Sequence, residues 1–237
     1  DGPDVAIPYA SFHQAPGFGH HVVLMGSEAR VDLWPDGTVA DCTSTDADIM
    51  VDSRPFLFPK DLDTAGAQEM NLPEGMAVKL KAGQRFVVQS HHINLSDEPI
   101  LVNDAVFLQT APLETVETFA APWVNTETDF TIPPGETMAI TVDCTWEDDI
   151  HLLSILGHLH EWGKSYAVDH HKLDGSVERI YAIDEWDVVY RDAPPITTWD
   201  EGAFQVKAGE RFVTTCEWTN TTDHPLEFPH EMCATVG

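Results

Sequence analysis

The sequence predicts an all-β protein of two tandem antiparallel β-sandwich, jelly-roll-like domains, and three observations predict it. Residues Lys81 to Ile100 read KAGQRFVVQSHHINLSDEPI and Lys207 to Leu226 read KAGERFVTTCEWTNTTDHPL, with nine of twenty positions identical at an offset of 126. Two copies of one strand and turn unit, half a chain apart, argue for two similarly folded domains. Turn signals recur at Pro35-Asp36-Gly37, Pro73-Glu74-Gly75, Pro133-Pro134-Gly135 and Asp174-Gly175, with short β-rich runs between them. No long segment carries apolar residues at the helical period of about 3.6. A length of 237 residues accommodates two domains of a little over a hundred residues each. The junction is expected between Ala111 and Pro122, giving domains 1–114 and 115–237.

Composition narrows the partners. Twelve Lys and Arg against forty Asp and Glu leave a net charge of −28, which repels phosphate backbones and acidic membranes, so no nucleic acid partner is expected. The longest apolar stretch, near Ile150 to Leu159, is interrupted by His151, Ser154 and His158 and falls short of a bilayer span, so no membrane partner is expected. Numbering opens at Asp1 with no initiator Met and no charged-then-apolar leader, from which a removed signal peptide is expected. Cys42, Cys144, Cys216 and Cys233 contain no C-x-x-C pair and suit disulfides in an exported protein better than a zinc knuckle. A secreted, periplasmic or extracellular location is therefore expected.

Along the chain, the first candidate site is His20-His21 in FGHHVVLMG. Adjacent strand residues point to opposite faces unless a bulge or strand end redirects one. Asp46, Asp48 and Asp52 lack the Gly and Glu pattern of a calcium loop and read as solvated. In the run from Arg85, Phe86, Val88 and Ser90 share one face, expected to be the core face, while Val87, Gln89 and His91 share the other. His91 thus points away from its own core, and His92 inward as a hydrogen-bonded histidine. The second copy of the repeat puts Phe212, Thr214 and Cys216 on the equivalent core face.

In ILGHLH, His158 and His160 stand at i and i+2 on one strand face, their Cα atoms roughly 6–7 Å apart, a spacing at which two imidazoles can close on one metal. His170-His171 reads as a solvated pair. Met232, in FPHEMC, is by default a core filler. If it joins His158 and His160, its thioether selects copper over zinc or magnesium.

Taken together these residues resemble the ascorbate-dependent type II copper monooxygenases, the family of peptidylglycine α-hydroxylating monooxygenase and dopamine β-monooxygenase. GHHVVLMG looks like the family's His-His strand, VVQSHHIN its Gln-x-His-Tyr strand, GHLHEWGK its His-x-His-x-Leu-Gly-Lys strand and HEMC its Glu-Met-Cys segment, in the same order from Gly17 to Cys233. The resemblance implies two coppers per chain facing an interdomain cleft, one held by His20, His21 and His91, the other by His158, His160 and Met232, where O2 is activated. It implies ascorbate as reductant, a small-molecule substrate, and Gln89 as an orienting residue near the cofactor. It also implies a Cys216–Cys233 disulfide tying down the methionine segment, and leaves Cys42 and Cys144 either to pair with each other or to stay free.

The match departs from the family at the substrate. Where peptidylglycine enzymes grip a carboxylate with Arg and Tyr, this chain has Leu156 and Val236, neither of which binds a carboxylate. A glycine-extended peptide is therefore not the expected substrate. Glu161, Trp162 and Lys164 flank the expected oxygen site, with Trp162 read either as packing or as a substrate wall. Two other classes stand beside the enzyme: a secreted copper-binding or copper-buffering protein that kept the ligands without hydroxylase activity, and a zinc hydrolase on His158 and His160. Against the last stands the lack of a suitably spaced third carboxylate ligand.

Overall fold

A computed structural model describes the chain except residues 1, 15–18, 29, 42–52, 58–66, 93, 95 and 192–193; at 19–21, 54, 55, 57, 67, 68 and 91 it describes the backbone alone. Cys42, Asp46, Asp48 and Asp52 thus lie outside the described residues. The fold is all-β. The chain divides into two compact units, Asp1–Pro122 and Trp123–Gly237.

Unit 1 contains β1 (Val5–His13), β2 (Gly19–Ser27), β3 (Ser53–Leu57), β4 (Ala67–Asn71), β5 (Met76–Leu80), β6 (Arg85–His92), β7 (Ala105–Ala111) and β8 (Thr118–Ala120). One sheet runs β4-β1-β5-β8 with β7 also on β1, and a second runs β3-β2-β6. Its core gathers Ile7, Ala10, Phe12, Val22, Leu24 and Val78.

Unit 2 contains β9 (Val124–Glu127), β10 (Thr137–Thr145), β11 (Ile150–Leu152), β12 (Ser154–His158), β13 (Gly163–His171), β14 (Val177–Ile183), β15 (Thr197–Thr198), β16 (Phe204–Val206), β17 (Arg211–Thr219) and β18 (Cys233–Val236). Its two four-stranded sheets run β10-β17-β13-β14 and β15-β12-β18-β9. They lie face to face in a sandwich-like arrangement: the Cys216–Cys233 disulfide joins β17 to β18, and Tyr166 Oη on β13 donates to the Ala234 carbonyl at 2.9 Å. The strand sequences explain the layering. Along β17 the residues Phe212, Thr214, Cys216 and Trp218 are buried and their neighbours are not, the period of two that a half-buried strand requires. In unit 1 the corresponding face is thinner than expected: Phe86 packs on the core, but Val88 is 49% exposed.

The sequence repeat extends to the level of single hydrogen bonds. Asn94 Oδ1 accepts the Ser96 N–H at 3.0 Å and its Nδ2 donates to the Glu98 carbonyl at 2.9 Å; Asn220 does the same with Thr222 (2.9 Å) and His224 (2.8 Å). The tight turns before β6 and β17 each hold a glycine in the left-handed region, Gly83 at φ 73° and Gly209 at φ 90°.

Strand pairing repeats even where the residues differ. Val22 faces Ser90 across β2 and β6 as Tyr166 faces Cys216 across β13 and β17. Val5 faces Leu80 as Ile150 faces Val206, and His13 faces Ala105 as His158 faces Ala234. Seen this way, β1 corresponds to β11 and β12 in succession, β2 to β13, β6 to β17 and β7 to β18. The disulfide also has a counterpart, the hydrogen bond from Ser90 Oγ to Asp104 Oδ2.

His170 corrects one expectation. Instead of belonging to a solvated pair, it lies on β13 with 1% exposure, its Nε2 2.8 Å from Glu210 Oε2. Glu210 also accepts the Lys207 N–H at 3.0 Å, and that backbone bond, with His170, holds its carboxyl below the ordinary value of 4.5. A depressed carboxylate contributes stability that is complete above pH 4.5 and is lost as pH falls through the lower folded value. Glu210→Gln is therefore expected to cost about 1–2 kcal/mol at pH 7 and to flatten the acid limb of stability against pH, measured by urea denaturation at stepped pH.

Candidate metal centres

In unit 1 the backbone brings the histidine strands together. β2 and β6 are antiparallel neighbours with His21 directly opposite His91, and the register slips between Gly19 and His21, leaving His20 as the extra residue of a β-bulge. A bulge sets two residues of one strand against one of its partner and re-aims side chains, the exception that consecutive ligands on one strand need. The side chains of His20, His21 and His91 lie outside the described residues. Gln89 is half-buried, opposite Val23 and two positions before His91 on the same strand face. His92 Nε2 lies 2.8 Å from Asp104 Oδ2 without the alignment of a hydrogen bond.

In unit 2 the alternation along β12 sends Ile155, Gly157 and Leu159 into the core and Leu156, His158 and His160 to the outer face. The His158 and His160 rings stand edge to face with centroids 5.1 Å apart. β18 pairs with β12, Leu156 opposite Val236 and His158 opposite Ala234, and the same register carried beyond the ladder sets Met232 opposite His160. Met232 is half-buried and is not among the side chains packed on the unit's core. The Leu156–Val236 pair adds an apolar patch beside the histidines.

The His160 ring is oriented from behind. Its Nδ1 donates to the His230 carbonyl at 3.0 Å, which fixes the tautomer and leaves Nε2 with its lone pair. Burial holds its pKa below the ordinary histidine value, favouring the neutral form that binds metals. Among the described residues no group of three His, Cys, Asp or Glu side chains could hold a metal ion. The unit 2 set supplies two such residues and a thioether.

Sequence reasoning passed over Glu231. This carboxylate is fully buried and accepts three N–H donors: His160 N at 2.9 Å and Trp218 Nε1 at 2.8 Å on Oε2, and Trp162 N at 2.8 Å on Oε1. It fastens the segment bearing Met232 to the strand end bearing the histidines. Burial pushes its pKa up to about 7, against the pull of the three donors. Its signal in the sequence was its place beside Met232. Trp162 packs on the core, Trp186 Nε1 donates to the His160 carbonyl at 3.0 Å, and Arg191 pairs with Glu161. The Cys216–Cys233 disulfide is present, with Cα atoms 5.9 Å apart, while Cys144 is a free thiol whose pKa burial raises. Among the described residues no helix is long and apolar enough to cross a membrane.

No protein-family model matches the chain, and no curated protein matches it. It aligns with solved structures of infectious bursal disease virus. The Gx strain structure has 9% identity over 98% of this chain and 56% of that one, with a TM-score of 0.24. The VP2 subviral particle has 12% identity over 99% and 57%, with a TM-score of 0.22. The chain thus spans a little over half the length of these structures.

Proposed function

We propose that the chain is a copper-dependent monooxygenase that hydroxylates an aliphatic C–H bond of a small substrate, using O2 and a reductant such as ascorbate. In this reading the two units are tandem β-sandwich domains; His20, His21 and His91 hold one copper, and His158, His160 and Met232 hold the other. The observation that carries it is the outer face of β12 and β18. Two imidazoles 5.1 Å apart share that face, one with its Nδ1 committed to a carbonyl, and Met232 continues the opposing register. Two nitrogens and a soft sulfur fit copper better than zinc or a hard cation. When bound, that copper would supply O2 activation, and the histidine copper an electron.

The protein's own residues supply position. The His160 Nδ1–H bond and the Glu231 anchor hold the ligands before metal arrives, so little ordering remains to be done on binding. Leu156 and Val236 offer the substrate an apolar contact and nothing for a carboxylate, which favours an apolar C–H substrate over a glycine-extended peptide. Gln89 belongs to the surroundings of the histidine copper as an orienting group. The disulfide supports a secreted or periplasmic setting.

Met232→Ala is expected to abolish ascorbate-dependent O2 uptake and to reduce bound copper from two per chain to one, read by metal analysis after chelator competition. Uptake unaffected by the change would reject the proposal. The same Leu156–Val236 pair also motivates a copper-buffering protein without hydroxylase activity. Two coppers retained, with no hydroxylated product from a broad panel of C–H substrates, would favour that reading.

A further inference from the structure

The bulge at His20 has a twin in unit 2. Gly163 faces Trp218 and Ser165 faces Glu217 with a register slip between them, as Gly19 faces His92 and His21 faces His91. Lys164 is therefore the counterpart of His20, Ser165 of His21, and Glu217 of His91. Here the side chains are described and they converge: Lys164 Nζ donates to Glu217 Oε1 at 2.8 Å, and Ser165 Oγ donates to Glu217 Oε2 at 2.8 Å. Two consecutive residues of one strand thus reach the tip of a single residue on the next, which strict alternation forbids and a bulge permits.

We infer that the Lys164, Ser165 and Glu217 cluster is unit 2's copy of the three-histidine site, a cation site on the same β-bulge that the chain closes with its own ammonium group. The inference rests on reading His20, His21 and His91 as a metal set. The Lys164 charge meets the Glu217 carboxylate where a bound cation would sit, leaving one carboxylate and one hydroxyl, too few donors to displace the ammonium. The ligand class this scaffold takes is therefore decided by three side chains and not by the fold around them. With imidazoles at these positions the bulge presents three nitrogens to one point, a donor set suited to copper or zinc.

The test is the full-length triple variant K164H/S165H/E217H, titrated with Cu(II) and separately with Zn(II) against a competing chelator. One additional equivalent of Cu(II) per chain over the unsubstituted protein is expected, with a further nitrogen-ligand electron paramagnetic resonance signal added to those of the unsubstituted chain. A folded variant that takes up no additional equivalent overturns the inference. Should the triple variant fail to fold, K164H/E217H carries the same test at side chains 51% and 27% exposed, with weaker uptake expected and its absence decisive. The unsubstituted chain and its H91A form, titrated alongside, report on the three-histidine reading by itself, so the two readings fail separately.

Discussion

Replacing Glu231 with alanine is expected to cost about 4 kcal/mol. The carboxylate is at 0% exposure and satisfies three N–H groups at once, those of His160, Trp162 and the Trp218 ring. Alanine leaves all three without partners, the Trp218 ring buried and the two backbone groups partly so, each at about 1–3 kcal/mol before relaxation, and opens a cavity as well. Glu231→Gln separates shape from hydrogen bonding. Glutamine fills the same space and keeps one acceptor oxygen, but its amide turns a donor toward a donor, so about half the loss is expected. Urea denaturation of both variants checks the ranking. Equal stability of the alanine variant and the parent would mean that water replaces the carboxylate and that Glu231 is no anchor.

Gly157→Ala is the second large effect, at about 3 kcal/mol. An added Cβ would come within 2.3 Å of Tyr166 Cε1 and 2.4 Å of Cδ1. The ring has little freedom to yield, since Tyr166 is 1% exposed and its hydroxyl lies 2.9 Å from the Ala234 carbonyl and 2.5 Å from Thr235 Oγ1. Unit 1 solves the same packing with the sizes exchanged. The counterparts of Gly157 and Tyr166 are Phe12 and Val22, both in its core, a large residue on the first strand and a small one on the second. Tyr166→Val in the Gly157→Ala background is therefore expected to recover part of the loss. Chemical denaturation of the single and double variants measures the coupling directly. Additive losses would show that the ring was never the obstacle.

That exchange shows why only part of the molecule could be read from its sequence. The β6 and β17 copies keep their turn residues, because a left-handed glycine and a side chain that folds back on its own backbone leave few substitutes; the repeat was visible there. Along β2 and β13 the constraint is on register and on the summed volume of facing residues, which many sequences meet, so GHHVVLMGS and GKSYAVDHH share almost nothing while pairing alike. The shared face of His158 and His160 followed from alternation alone. The bulge at His20 needed the partner strand to be known, and the depth of His170 needed Glu210, forty residues away. Glu231 was hidden for a related reason, since its three donors come from residues 160, 162 and 218, and no local pattern joins them.

The Cys216–Cys233 bond and its unit 1 counterpart, the Ser90–Asp104 hydrogen bond, hold equivalent strands with unequal strength. A cross-link over 17 residues is worth about 3 kcal/mol through the entropy it removes from the unfolded chain, against about 1 kcal/mol for a hydrogen bond. Opening the Cys216–Cys233 bond therefore loosens unit 2, in which Met232 sits next to the severed sulfur. Reduction of that bond would be felt first in the segment that carries Met232.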